Sequence, residues 1–396
     1  MTTSQTSLVR TVRVVPRATS TPRATVSVVI PCHNYARYLP EAVTSALDQQ
    51  DVVVEVIVVD DASTDDSLAV ARRLAGADPR VSVVAHAVNR GPVGTFNDGL
   101  ARASGEFLVR LDADDLLTPG SLARSVAVAR TFPSVGLVYG HPLHFSDTRP
   151  TARLRPRRWT VWPGRQWLWD RCLDGYNVIT SPEVLMRMSV VAEVGGQRPL
   201  AHTHDMEMWL RVAAFSDVAH VGGCDQAWHR DHPASLSARV VDDATDFGER
   251  VAAFDELAAG VAAQLPEMAQ MRAAAQQALV RQALRACRYE VARGNRDPVR
   301  VRRLMAQALE LDPHLATTAA WGTLAAALDG RPDPARRAAG LLTAAAIRAD
   351  DVGRGFRWSR TGTYTRERRR PRPPVDTATT LPDRQPTTTR RRWRDR

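Results

Sequence analysis

Two rhythms of apolar residues alternate along residues 26–139. Residues 26–30 form a short apolar run closed by Pro31, the pattern of a buried strand. Residues 38–50 then place Leu39, Ala42, Val43, Ala46 and Leu47 at helical spacing. The same exchange repeats: strands are predicted over 52–59, 81–85, 107–111 and 135–139, and helices over 67–74, 95–103 and 121–131. Strands alternating with helices of about ten residues build βαβ units, so the prediction is an α/β fold with a mostly parallel sheet flanked by helices. Ligands of such sheets bind at the carboxyl ends of the strands. The polar clusters fall there: Asn34, Asp60-Asp61, Asn89-Arg90-Gly91, and Asp112 to Asp115.

Outside this core the pattern changes. Residues 1–24 mix Thr, Ser, Arg and Pro without periodicity and are expected to be a disordered segment. Residues 140–240 are less regular and hold six of the nine tryptophans; with the core they form a predicted domain over 25–240. Residues 241–351 are Ala-rich with helical spacing, as at Leu279, Ala283 and Cys287, which predicts an all-helical region. The junction around Ala308 to Pro313 resembles the end of a tetratricopeptide repeat, but one such junction is outweighed by the simpler reading, a plain helical bundle. Residues 352–396 are rich in Arg, Pro and Thr and are expected to be a disordered Arg-rich tail.

Charge sharpens this division. The net charge is +10, yet 352–396 alone carries fourteen Arg against four acids, and 1–25 carries four Arg and no acid. Residues 26–351 therefore sum to −4. Every basic residue is Arg, which removes Schiff-base lysine chemistry and a phosphate-loop lysine. The tail is expected to touch anionic membrane surfaces. It has no folded recognition module, which argues against nucleic acid. No run of 18 apolar residues and no apolar stretch of a secretory leader occur, so a cytoplasmic protein is expected. The four cysteines form no C-x-x-C pair and read as reduced packing residues.

The chemistry concentrates in Asp112-Ala113-Asp114-Asp115. Carboxylates crowded at a strand end repel one another unless a cation sits among them, and Mg²⁺ or Mn²⁺ takes such oxygen ligands. A competing reading makes Asp115 the N-cap of the next helix. Four blocks occur in order: residues 26–35, 56–65, 89–100 and 105–115. Their content and spacing resemble family 2 glycosyltransferases, which have the GT-A fold, over about residues 26–240.

The resemblance implies a nucleotide-sugar donor, a hydroxyl acceptor such as a glycan or lipid-linked sugar, and a Mn²⁺ or Mg²⁺ cofactor. By position, Asp60 and Asp61 match the acidic strand end that faces the nucleotide base, where a carboxylate accepts the N3–H of uracil or thymine. Pro31 and Asn34 match the loop beside the nucleotide, and Arg90 is placed with them. Asp112 and Asp114 match the metal-binding D-x-D, with Asp112 also towards the ribose. Residues 204–211 resemble the Glu-Asp block whose Asp is the catalytic base, here Asp205, although His204 replaces the usual Glu. Glu207 and His204 are the alternative bases. Residues 229–237 resemble the segment closing over the diphosphate, with His232 completing the metal shell and Arg230 offsetting phosphate charge. One base and a single displacement imply inversion. A nucleotidyltransferase and a non-catalytic scaffold are the rival readings.

Overall fold

The computed structural model describes residues 8, 10–16, 23–233, 235, 242–293, 298–329 and 334–364. Its main sheet has nine strands, in spatial order β1 (Val12–Val14), β9 (Arg158–Trp162), β11 (Asp217–Gly222), β7 (Val135–Tyr139), β10 (Leu185–Arg187), β5 (Phe107–Arg110), β2 (Ala24–Cys32), β3 (Val52–Asp60) and β4 (Val81–Ala85). Only β9 and β10 run against the others. The Val- and Ile-rich strands β2 and β3 are buried on both faces, as parallel strands between helices must be. A small second sheet joins β6 (Leu116–Leu117), β12 (Ala227–Arg230) and β8 (Pro142–Phe145).

The predicted helices form as α1 (Leu39–Leu47), α2 (Ser67–Ala77), α3 (Gly91–Leu100) and α4 (Ser121–Thr131). Helix α3 begins four residues before the apolar spacing does. Gly91, at φ +73°, turns the chain, and the carboxylate of Asp61 receives the N–H groups of Arg90 and Gly91 at 2.7 and 2.9 Å. That cap comes from thirty residues away, so local spacing does not reveal it. Three further helices, α5 (Gly164–Asp174), α6 (Met188–Val194) and α7 (His204–Phe215), fill the irregular region. The residues around Asp115 do not open a helix with it: Gly120 precedes α4.

The C-terminal helices are α8 (Asp243–Ala259), α9 (Met268–Ala292), α10 (Pro298–Leu311), α11 (Ala319–Asp329) and α12 (Pro334–Thr361). They are not a separate body. One apolar core runs from Val29, Leu137 and Trp162 on the sheet through Trp167 and Leu168 of α5 to Leu279, Cys287 and Leu304 of the bundle. All four cysteines are buried and form no disulfide.

Parts of both expected disordered segments are ordered among the described residues. β1 lies within residues 1–24 and adds an edge strand to β9 with Val12 opposite Val161. Helix α12 runs ten residues into the expected tail, and the segment after it docks: Trp358 donates to the carbonyl of Val178 at 2.7 Å and Tyr139 Oη to that of Gly362 at 2.5 Å. Aromatic burial holds a segment whose composition reads as a tail. The rest of that tail, from residue 365, lies outside the described residues. No helix among the described residues is long and apolar enough to cross a membrane.

Candidate functional site

The strand ends of β2, β3, β4 and β5 gather on one edge of the sheet, as predicted. At the end of β3, Asp60 and Asp61 are 1% and 3% exposed. Asp61 is fully occupied: Oδ1 meets His86 Nδ1 at 2.8 Å and the N–H of Arg90, and Oδ2 accepts from Gly91. Burial raises its pKa, but hydrogen bonds from His86, Arg90, Thr95 and Gly91 outweigh burial and hold it below the usual carboxylate range. Asp60 Oδ2 accepts from the N–H of Ser63 at 3.2 Å, and its Oδ1 is buried without a partner among the described residues.

Asn34, at φ +62°, ties the first loop to the second. Its Oδ1 accepts from Thr64 N at 2.7 Å and Asp65 N at 3.2 Å. Asn is among the residues that tolerate this backbone region. Its side chain therefore shapes the loop. Pro31 sits in register with Val59 at the end of β2. The Arg90 guanidinium, half exposed, pairs with Asp98.

The acidic run after β5 divides its work. Asp112 Oδ1 pairs with Arg110 NH2 at 2.8 Å. Asp114 Oδ2 lies 2.8 Å from His232 Nε2, beside the rings of Tyr35 and Tyr38. Burial and then repulsion from Asp112 raise the pKa of Asp114. Asp115 is buried and faces the other way: its Oδ2 meets His229 Nδ1 at 3.0 Å and its Oδ1 accepts from Arg230 N at 2.8 Å. Burial pushes Asp115 up to about 7. Burial also opposes charge on His229, yet its contacts with Asp115 hold it up at about 9. Asp115 thus ties β12 to the acidic run.

Arg230 does not present its guanidinium openly. It is 9% exposed, donates from Nε to the carbonyl of Asp114 at 3.0 Å, pairs with Glu41 at 2.8 Å, and lies over the rings of Tyr38 and Phe145. It braces the loop carrying Asp114.

Asp205 lies in the first turn of α7 and reaches the acidic run through two side chains. Ser181 Oγ donates to Asp205 Oδ2 at 3.2 Å, and Arg110 NH1 donates to Ser181 Oγ at 3.0 Å while its NH2 holds Asp112. His204 is buried; burial first and Arg110 second lower its pKa, so it is neutral at pH 7. Glu207 is spent on structure. Both its oxygens bind Arg211, at 2.8 and 2.7 Å, and both residues are 1% exposed.

The structure therefore brings Asp112, Asp114, His232 and Asp205 into one connected site, with Asp60 and Asp61 on the same sheet edge. The connectors Arg110 and Ser181 escape sequence reading. Arg110 carries one signal: it ends β5 two residues before Asp112. Ser181 carries none, since its partners are 24 and 71 residues away.

Residues 27–195 match the family model described as glycosyl transferase family 2. An uncharacterized glycosyltransferase of Nostoc sp. is 41% identical over 114 residues, which cover 29% of this chain and 35% of that protein. The succinoglycan biosynthesis protein ExoO of Rhizobium meliloti is 41% identical over 101 residues, covering 26% of this chain and 28% of it. The match thus spans about a third of the length of these curated relatives. Among solved structures, S. aureus TarS 1-349 in complex with UDP-GlcNAc superposes with a TM-score of 0.54 at 15% identity, covering 82% of this chain and 92% of that one, a likeness of fold. The sequence blocks, the GT-A architecture and the family match agree in likening residues 27–195 to glycosyl transferase family 2.

Proposed function

We propose that the chain moves a sugar from a nucleotide-sugar donor to a hydroxyl acceptor, with inversion, using a divalent cation. The observation that carries this reading is the chain of contacts from Asp112 through Arg110 and Ser181 to Asp205. It supports a cation-binding edge linked through two side chains to a carboxylate base, the arrangement a single displacement would use.

The donor set fits Mn²⁺ or Mg²⁺. Asp112, Asp114 and His232 supply two carboxylates and an imidazole, and burial first and the neighbouring Asp112 second raise the pKa of Asp114, so a cation there would favour its charged form. A cation bound there would neutralise the leaving diphosphate. Asp205 receives the acceptor proton, and the Ser181 hydroxyl and α7 hold its carboxylate in place. Arg110 fixes Asp112 and keeps positive charge near the site.

The donor base is proposed to be a pyrimidine, as UDP or dTDP. Of the carboxylate oxygens at the end of β3, Asp60 Oδ1 alone lacks a partner among the described residues and suits an N3–H. It is covered in this structure, so a base reaching it displaces part of the loop that Asn34 ties down. The relatives named for succinoglycan biosynthesis and for chondroitin synthesis support a polysaccharide or glycoconjugate as product. Release of UDP from a UDP-sugar with Mn²⁺ present, lost in Asp114→Asn, tests the reading. Product formation without added divalent cation would overturn its metal dependence. Retention of the donor's anomeric configuration in the product, read by NMR, would overturn inversion.

A further inference from the structure

We propose that His144, His229 and Asp231 form a second cation site, distinct from Asp112, Asp114 and His232, that takes a transition-metal ion of the Zn²⁺ class. Strand register builds it. β8 and β12 pair in parallel with His144 beside His229, and Asp231 continues the ladder by donating its N–H to the carbonyl of Phe145 at 2.8 Å. Neighbours across a ladder share a face, and so do residues two apart along a strand. All three side chains therefore project together.

The distances suit a small ion. His144 Nδ1 lies 3.2 Å and His229 Nε2 3.8 Å from Asp231 Oδ1, and the three ligand atoms lie within 4.8 Å of one another. Tetrahedral zinc with bonds of about 2.0–2.1 Å has ligand-to-ligand edges of roughly 3.3–3.4 Å. One edge is already near that length, and small rotations of exposed side chains close the others.

A second, independent feature is the support behind His229. Its Nδ1 faces the buried carboxylate of Asp115 at 3.0 Å, and Asp115 is itself held by the N–H of Arg230. A histidine ligand commonly gives its other ring N–H to a carboxylate, which fixes the tautomer and leaves Nε2 for the ion. Bound ion displaces any proton on Nε2. Two imidazoles and one carboxylate, with the fourth position open to solvent, select a Zn²⁺-like ion over Mg²⁺, which prefers oxygen ligands.

The two sites share a backbone. Along residues 229–232, His229 and Asp231 point to the second site, while Arg230 and His232 reach Asp114. An ion in the second site would clamp the segment that delivers His232.

The test is a Co²⁺ titration of the full chain, with Co²⁺ as a spectroscopic stand-in for Zn²⁺. The wild type is expected to give one tetrahedral visible band per chain. The band should persist in Asp114→Asn and vanish in His144→Ala and Asp231→Ala, both surface changes with unaltered circular dichroism. Asp115→Asn should weaken Co²⁺ about 10–100-fold. A wild type with only the weak octahedral spectrum, or a band that survives His144→Ala, would overturn the proposal. A band lost in Asp114→Asn would assign the ion to the first site and overturn it too.

Discussion

Glu207→Gln separates structure from catalysis in the segment that carries the base. Glu207 and Arg211 stand one turn apart on α7, both 1% exposed, with two charge-assisted bonds of 2.8 and 2.7 Å. Arg211 also donates to the carbonyls of Val194, Gly195 and Gly196, the last two at 2.9 and 2.8 Å. It therefore closes the end of α6 and fixes the turn at Gly195, where φ is +87°. Glutamine keeps the shape and one acceptor oxygen but removes the charge, so the guanidinium is left buried against neutral partners. Breaking a buried pair from one side costs about 3–5 kcal/mol, and the retained hydrogen bond puts this variant near the low end. The urea midpoint should fall accordingly with an unchanged slope. Turnover per folded molecule should stay near wild type. An unchanged midpoint together with a rate loss of roughly 10²–10⁴-fold would make Glu207 the base and refute the reasoning.

Truncation after Asp351 should lower the melting temperature, because it removes Trp358, Gly362 and Thr363 from Val178, Tyr139 and Arg171; truncation after Thr365 keeps those contacts and should not. Equal melting temperatures for the two truncations would refute the docked role of α12. His220 is buried, and burial first, then Arg158, holds its pKa down at about 3. Its folded value lies below the unfolded value of about 6.5, so its contribution is present above pH ~6.5 and is lost as pH falls towards 3. His220→Leu should flatten the loss of stability across that window, measured as urea midpoint against pH; an equally steep loss in the variant would contradict the assignment.

The repeating half of the fold is legible because each element declares itself locally. β2, β3, β5 and α1 follow from apolar runs and helical spacing, and the sheet edge follows from their order. The acidic run is legible for the same reason: its members are contiguous. What escapes is whatever depends on distant partners. Asp61 reads as a ligand contact but caps α3 and holds His86. Asp115 reads as a metal neighbour or helix cap but anchors β12. Arg230 reads as a phosphate contact but is stacked and paired inside. Residues 352–364 read as tail because their few apolar residues act only once Trp358 and Tyr364 meet Tyr176 and His141.

The central claim is that one carboxylate removes the acceptor proton while a separate pair holds the cation and diphosphate. Calorimetry of UDP or dTDP with Mn²⁺, run beside a transfer assay on Asp205→Asn, tests it most directly. The account predicts nucleotide binding near that of the wild type, with transfer slowed by roughly 10²–10⁴-fold, the usual worth of general-base catalysis. Transfer at the wild-type rate would contradict it.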